Sequence, residues 1–179
     1  MLFAGTWLPR KGIQELVRAF TTLVERGRDI HLDVLGAGVP KAAVLAAFGR
    51  AAAGRVQVWT SRSDAEIAAI MAAADIFVLP SLFEGTPLTL IEAMWSGLPV
   101  VTTATAGMKD VVSDGRTGLL VPPGDANALA AAIERLMEDA ALRRALGTAA
   151  HAVATRDYTW DNAAATFASA YRAARHRHG

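Results

Sequence analysis

The sequence predicts an α/β domain in which a mainly parallel sheet lies between two layers of helices, a Rossmann-like three-layer sandwich. Short β-branched or apolar runs alternate with longer alanine-rich segments of helical periodicity, and this alternation is typical of βα units that feed a parallel sheet. Glycine or proline stands at most boundaries between these runs. The chain has 179 residues, 53% of them hydrophobic, which suffices for one ordinary domain with its own core.

Short apolar runs bounded by turn residues are predicted to be the strands. In chain order they are residues 2–5, 30–35, 56–59, 76–79, 99–102 and 119–121. The run at 76–79 is the most apolar of them. A turn is predicted around Gly107, between the last two strands.

Alanine-rich or amphipathic segments are predicted to be the helices. In the first of them Leu16, Phe20 and Leu23 recur at helical spacing. Ser63 and Asp125 stand where an N-cap is expected, because their side-chain oxygens accept hydrogen bonds from the first free amides of a helix. The predicted helices are residues 13–26, one helix that follows the turn at 36–38 and ends near residue 54, and residues 64–74, 87–96, 125–137, 141–154 and 160–175.

The charge and cysteine counts exclude several classes of function. There are 18 basic and 17 acidic residues, so nothing global indicates a nucleic-acid partner or an anionic membrane surface. The absence of cysteine excludes disulfides, thiol catalysis and iron–sulfur clusters. The apolar start is broken by Gly5 and no run is long enough to span a membrane, so the cytoplasm is the expected location. The basic tail at 175–179 is expected to fray.

The turn at residues 80–87 is the first candidate for a ligand site. Ligands of a doubly wound sheet bind beyond the carboxyl ends of the strands, where helix N-termini direct free amides at an anion. Glu84 lies in this turn. Thr86 is predicted to cap the next helix, with Pro87 at the first helical position.

Glu92 lies in that helix and has two interpretations. The helix is apolar around most of its circumference, so it is expected to be largely buried. In one interpretation Thr89, Glu92 and Ser96 form a narrow polar stripe that faces solvent. In the other, the Glu92 carboxylate accepts hydrogen bonds from the two hydroxyls of a ribose.

Arg10 and Lys11 form the second candidate, in the turn at 5–12 that follows the first strand. Such a pair complements a diphosphate, although adjacent cations are also common on solvated surfaces. The turn lacks the order of a P-loop, which argues against nucleotide hydrolysis. Neither His31 nor His151 has a partner at metal-ligand spacing, so no metal and no cofactor are expected.

Beyond these local signals, the chain resembles the C-terminal, donor-binding domain of a retaining glycosyltransferase of the GT-B fold, family 4. Glu84 and Glu92 have seven residues between them, as in the E-x7-E motif of that family. The resemblance runs from Phe3 to about Tyr171. Its other segments are residues 5–12, 81–101, 114–122 and 158–160.

The resemblance implies a role for each matching residue. Lys11 binds the donor diphosphate, Glu84 acts as the catalytic residue at the transferred sugar, and Glu92 binds the ribose. With the neighbouring positions, the expected donor-binding set is Arg10, Lys11, Trp59, Glu84, Gly85, Thr86, Pro87, Leu88, Thr89 and Glu92.

The chain departs from the family pattern at three places. Thr6 stands where the family has an arginine after the first glycine, so Arg10 is expected to replace that cation. Residues 106–110 read Ala-Gly-Met-Lys-Asp in place of Gly-Gly-x-x-Glu, and Trp59 and Thr60 stand where a glycine is usual. The base, the sugar and the acceptor therefore stay open.

The resemblance also implies that residues 1–179 are one half of a two-domain enzyme whose N-terminal acceptor domain is absent. The expected activity is retaining transfer of a sugar from a nucleoside diphosphate to an acceptor, with the fragment inactive alone. A GT-B sugar phosphorylase or epimerase, or a non-catalytic nucleotide-sugar-binding module, are the alternatives. Any peripheral membrane association is expected through the absent half, and any self-association through the last helix, which carries Trp160, Phe167 and Tyr171.

Overall fold

A computed structural model describes residues 1–60 and 62–177 of the chain. The strands are Leu2–Ala4 (β1), Leu32–Leu35 (β2), Val56–Trp59 (β3), Phe77–Leu79 (β4), Val100–Thr103 (β5) and Leu119–Val121 (β6). Within the described residues they form one six-stranded sheet in the order β3-β2-β1-β4-β5-β6, and each neighbouring pair is parallel. The predicted parallel α/β sheet is confirmed.

The described helices follow the predicted pattern, with two differences. They are Ile13–Glu25 (α1), Lys41–Leu45 (α2), Arg50–Ala53 (α3), Asp64–Ala73 (α4), Leu88–Trp95 (α5), Ala106–Lys109 (α6), Ala126–Glu138 (α7), Ala140–Asp157 (α8) and Trp160–Arg177 (α9). The single helix predicted to end near residue 54 is wrong, because Gly49 adopts an extended conformation and separates α2 from α3. The turn predicted around Gly107 is the short helix α6. The basic tail reaches past the described residues at 178–179, and its residues 175–177 continue the backbone of α9.

Two of the three predicted helix caps are confirmed. The Ser63 side chain and Glu66 form a capping box at the start of α4, and these hydrogen bonds lower the pKa of Glu66. The Asp125 carboxylate accepts the Ala128 N–H at 2.9 Å. Thr86 is not the cap of α5. Pro87 is extended, at φ −73° and ψ 126°, so it becomes the N-cap and the helix begins one residue later than predicted.

The order of the strands decides where the helices lie. The order reverses between β1 and β4, and because βα crossovers are right-handed, α1 and α5 lie on opposite faces of the sheet. α1 packs against α7 and α5 packs against α8. On the α1 side, the rings of Phe20 and Phe48 meet edge to face with centroids 5.7 Å apart. The molecule is thus the predicted three-layer sandwich.

α8 holds α5 in place through a contact between two backbones. A Cβ atom at Gly147 in α8 would come within 2.2 Å of the carbonyl oxygen of Gly97. Gly97 follows α5 in a left-handed conformation, at φ 74°, and its N–H donates to the Met94 carbonyl at 3.0 Å. The C-terminal end of α5 is therefore fixed against α8. This contact also fixes the position of the other end of α5, which lies at the carboxyl edge of the sheet.

Gly147→Ala should therefore destabilise the domain. At an open helix position this change stabilises by about 1 kcal/mol, because alanine has the higher helix propensity. At Gly147 we expect a loss of roughly 2 kcal/mol, since the new methyl group overlaps the Gly97 carbonyl. Urea unfolding followed by circular dichroism measures the difference. Thr148→Ala, at the exposed neighbouring position, is the control and should stay within about 0.5 kcal/mol of wild type; a more stable Gly147→Ala variant would contradict the close contact.

Candidate functional site

The candidate site lies where the strand order reverses. At this point the helices that follow β1 and β4 leave the sheet on opposite faces, and in sheets of this class the crevice at the carboxyl edge between them is the usual place for a ligand. The loops after these two strands are joined by their backbones, since the Leu82 N–H donates to the Arg10 carbonyl at 2.8 Å. Gly12 permits this contact, because a Cβ there would lie 1.8 Å from the Pro80 carbonyl oxygen.

A cluster of charged side chains bridges the two loops. Lys11 Nζ lies 2.5 Å from Glu84 Oε1, and Arg10 Nη1 lies 3.0 Å from the same oxygen. The Ser81 hydroxyl makes a longer contact with it, at 3.5 Å. The Lys11 and Glu84 side chains are each 11% exposed, whereas that of Arg10 is 54% exposed. Lys11 and Glu84 therefore form a largely buried ion pair, and Arg10 a second, water-screened one.

The start of α5 lies at the same edge of the sheet. No side chain caps this helix, so its first backbone N–H groups are available to an acceptor from outside. They carry the positive end of the helix dipole. With two cations against one carboxylate nearby, this edge of the sheet has a net positive charge and suits an anion.

The neighbouring strand and helix fix the loop that carries Glu84. The Thr103 hydroxyl, at the end of β5, donates to the backbone carbonyl of Ser81. A Cβ at Gly107 in α6 would come within 1.9 Å of the Gly85 carbonyl oxygen. The backbone around Glu84 is therefore held on two sides, and only its side chain is free to move.

Sequence reasoning missed Ser81, Thr103 and Thr105 as residues of the site. Ser81 is completely buried, although serine is usually exposed. The Thr105 hydroxyl is buried and has no hydrogen-bond partner among the described residues. The available signal was a run of threonines at the carboxyl end of a strand that neighbours the Glu84 loop.

Glu92 does not join this cluster. It lies on a face of α5 that is exposed with Leu88 and Trp95, while the opposite face is buried. The expectation of a largely buried helix is wrong for this face, because the sheet and α8 cover α5 from the other side. No ion pair of Glu92 occurs in the part of the chain that the structure describes. Its carboxylate is open both to solvent and to a ligand.

The backbone of Trp59 lies at the same edge of the sheet, at a distance from the cluster, but its indole ring is turned back along the sheet. It ends β3, which lies two strands away from β1, or roughly 10 Å. Its indole N–H donates to the Asp33 carboxylate at 2.7 Å, and the Arg62 guanidinium covers the ring at 5.0 Å. Only an elongated ligand would contact both Trp59 and Lys11.

The remaining predicted donor-binding residues surround the start of α5. Gly85 and Thr86 are exposed, Pro87 is buried, Leu88 is 65% exposed and Thr89 is half-buried. These five residues are consecutive and lead into α5, and their role in donor binding stays a prediction.

An apolar groove of about 340 Å³ adjoins that surface. It lies between α5 and the start of α9, and the residues that line it include Thr86, Leu88, Tyr158, Trp160 and Phe167. The Tyr158 hydroxyl donates to the Asp110 carbonyl at 3.1 Å. Burial raises the pKa of Tyr158, so this hydroxyl keeps its proton and fastens the start of α9 to the loop after α6.

A larger hollow at the opposite edge of the sheet is a weaker candidate. It measures about 470 Å³, and Asp29, Asp33 and Asp75 lie among the residues that line it. Three carboxylates disfavour an anionic ligand. Among residues 1–60 and 62–177, no three His, Asp or Glu side chains gather as metal ligands do. None of the helices within those ranges is long and apolar enough to cross a bilayer.

Comparison with known proteins decides the family. The family profile described as "Glycosyl transferases group 1" matches residues 1–139. The chain belongs to this family. A curated relative, the MMP alpha-(1->4)-mannosyltransferase of Mycolicibacterium hassiacum, is 33% identical over 174 residues, which cover 96% of this chain and 42% of the relative.

Solved structures of other proteins share the fold. A sucrose-phosphate synthase from Thermosynechococcus elongatus superposes with a TM-score of 0.83 at 30% identity, covering 98% of this chain and 45% of that one. Anabaena HepE in complex with UDP-glucose gives a TM-score of 0.74 at 25% identity, covering 87% of this chain and 44% of that one. The predicted recognition of a GT-B glycosyltransferase domain is confirmed. The chain spans less than half the length of the relatives it matches.

Proposed function

We propose that this chain is the donor-binding half of a retaining glycosyltransferase and that it binds a nucleoside-diphosphate sugar in the crevice between β1 and β4. The observation that carries the proposal is the meeting of Lys11, Arg10 and Glu84 beside the uncapped start of α5. The complex of HepE with UDP-glucose supports the same class of ligand for a similar domain.

The charges of the crevice match the two parts of such a donor. Lys11 and Arg10 neutralise the diphosphate, and the first amides of α5, from Leu88 onward, donate to its oxygens. The same groups stabilise the negative charge that develops on the diphosphate as the sugar departs. Glu84, as the catalytic residue, holds the hydroxyls of the transferred sugar together with the exposed loop at Gly85 and Thr86.

The nucleoside would extend from the diphosphate along the carboxyl edge of the sheet. Trp59 lies roughly 10 Å from β1, two strands away, and its indole would have to leave the Asp33 carboxylate to contact a base there. Glu92 is exposed one turn into α5, where its carboxylate can accept hydrogen bonds from the two hydroxyls of the ribose. Titration with different nucleotides and nucleotide sugars must identify the base and the sugar of the donor.

Transfer requires more than this crevice. The acceptor oxygen must be held against the anomeric carbon in a site that excludes water, and the open edge of one sheet provides one wall of such a site. The matched relatives are more than twice as long as this chain. We therefore propose that an upstream acceptor domain supplies the other wall of the site.

The cytoplasmic location expected from the sequence stays a prediction.

Calorimetric titration of the 179-residue chain with UDP, GDP and ADP, and with their glucose conjugates, tests donor binding directly. Binding of at least one conjugate is expected. Absence of binding to every member of the panel, with folding verified by circular dichroism, would contradict the proposal for these nucleotides. Transfer to phosphate by the two-domain protein would indicate a phosphorylase, and binding without turnover a non-catalytic module.

Glu92→Ala should weaken nucleotide binding without unfolding the domain. The side chain is exposed, so the packing of α5 is unchanged, while each charge-assisted hydrogen bond lost to the ribose costs about 1.5–3 kcal/mol. Glu92→Gln keeps part of the bonding and should have a smaller effect. Calorimetry with the best-binding nucleoside diphosphate measures both variants. Unchanged affinity in both would make Glu92 a residue of the solvated stripe.

Arg10→Ala should weaken binding of a nucleoside diphosphate more than that of the corresponding monophosphate. The reason is that Arg10 contacts Glu84 and is expected to replace the arginine that the family has at position 6, where this chain has Thr6. Thr6→Arg should strengthen diphosphate binding, because it restores the arginine that the family has at this position and adds a cation to Lys11 and Arg10. Equal losses for the two nucleotides, or no gain from Thr6→Arg, would show that Arg10 is only a surface residue.

The 179-residue chain should bind donor but transfer no sugar by itself. Adding the upstream domain, covalently or in trans, should restore turnover because it completes the closed site. It should also protect α9 from hydrogen exchange, since Trp160, Phe167 and Tyr171 are more than two-thirds exposed in this chain. Transfer of a labelled sugar by the chain alone at the rate of the two-domain protein would show a complete single-domain mechanism.

A further inference from the structure

We propose that Glu84 competes with the donor's diphosphate for Lys11 and Arg10, and that this competition makes the site prefer a sugar-bearing donor over the bare nucleoside diphosphate. The inference rests on the proposed function, because it assumes that a diphosphate binds these cations. The competition would allow the site to distinguish the substrate, a nucleoside-diphosphate sugar, from the nucleoside diphosphate that remains after transfer.

The geometry of the cluster sets up the competition. Both cations converge on one oxygen, Glu84 Oε1, at 2.5 Å from Lys11 and 3.0 Å from Arg10. The carboxylate thus occupies the position between two cations that a phosphate group would take. A carboxylate and a phosphate cannot share that position, because two like charges in contact repel each other strongly. A diphosphate that binds here must displace the Glu84 carboxylate.

Displacement leaves Glu84 without adequate partners. Its side chain is 11% exposed, and a largely buried carboxylate is costly once its cations are withdrawn. The Ser81 hydroxyl, at 3.5 Å, is too distant to compensate. The backbone of Glu84 cannot retreat with the charge, because Gly107 packs against the Gly85 carbonyl. The displaced carboxylate can only rotate and find other hydrogen-bond donors.

A sugar attached to the diphosphate provides those donors. Its hydroxyl groups lie next to the phosphate from which Glu84 has rotated away, and hydroxyl-to-carboxylate hydrogen bonds are among the stronger ones. The bare nucleoside diphosphate has no such hydroxyls there and carries more negative charge on its terminal phosphate. Glu84 therefore favours the intact donor and opposes the product, which promotes release of the product after each transfer.

The test compares Glu84→Gln with wild type by calorimetry, using UDP, GDP and ADP and their glucose conjugates. The nucleotide that binds wild type most tightly is then used for every variant. Wild type should bind the conjugate at least about tenfold more tightly than the diphosphate. Glu84→Gln should raise the affinity for the diphosphate about tenfold, which corresponds to about 1.4 kcal/mol, and should not raise the affinity for the conjugate. The preference should therefore disappear.

Two further variants make the result specific. Glu25→Gln removes the same charge from an exposed position at the far end of α1, and it should leave both affinities unchanged. In a Lys11→Met background, Glu84→Gln should give a smaller gain, because the nearer of the two contested cations is gone and only the more exposed Arg10 remains. Glu84→Ala carries the same expectation as Glu84→Gln and replaces it if that variant does not fold.

The outcomes separate this inference from the proposed function. If the chain binds a nucleoside diphosphate but Glu84→Gln binds it equally or more weakly, the proposed competition is contradicted and the proposed donor site is not. The same conclusion follows if wild type binds the diphosphate and its glucose conjugate equally. If neither wild type nor Glu84→Gln binds any nucleotide of the panel, the proposed function fails for these nucleotides.

Discussion

The contact between the backbones of Gly12 and Pro80 is the constraint on which the site depends. A side chain at Gly12 would lie 1.8 Å from the Pro80 carbonyl oxygen, so only glycine permits the loops after β1 and β4 to touch. Because they touch, Lys11 from one loop reaches Glu84 from the other at 2.5 Å. A pair so largely buried contributes little net stability once desolvation is counted, so its presence is explained better by binding than by folding.

Two other close backbone contacts hold the surroundings of this pair. Gly107 packs against the Gly85 carbonyl and Gly147 packs against the Gly97 carbonyl, so both the Glu84 loop and the helix α5 are fixed by neighbours that lack a side chain. Contacts of this kind leave little freedom for the backbone to move. A ligand that binds at this edge as proposed would therefore move mainly the charged side chains, and the proposed exchange of anions at Lys11 and Arg10 requires this.

The sequence predicted what depends on local signals. The parallel sheet and the caps at Ser63 and Asp125 follow from apolar runs and from short-range hydrogen bonds. Thr86 failed as a cap because the extended conformation of Pro87 moves the helix start, and Gly49 divides a helix whose composition reads as continuous. The pairing of Arg10 with Glu84 spans 74 residues, and nothing in a single sequence fixes such a contact except the resemblance to a known family.

The helix start proposed to bind the diphosphate also borders a second surface, the apolar groove between α5 and α9. α5 buries one face and presents Leu88, Glu92 and Trp95 on the other, so its exposed face is part crevice and part groove. Thr86 and Leu88 line the groove and also form the helix start that would address the diphosphate. Any partner that fills the groove against Trp160 must therefore contact residues of the proposed donor site. If the proposed upstream domain fills this groove, it contacts the same helix start that is proposed to bind the diphosphate, so the two contacts would be coupled through the start of α5.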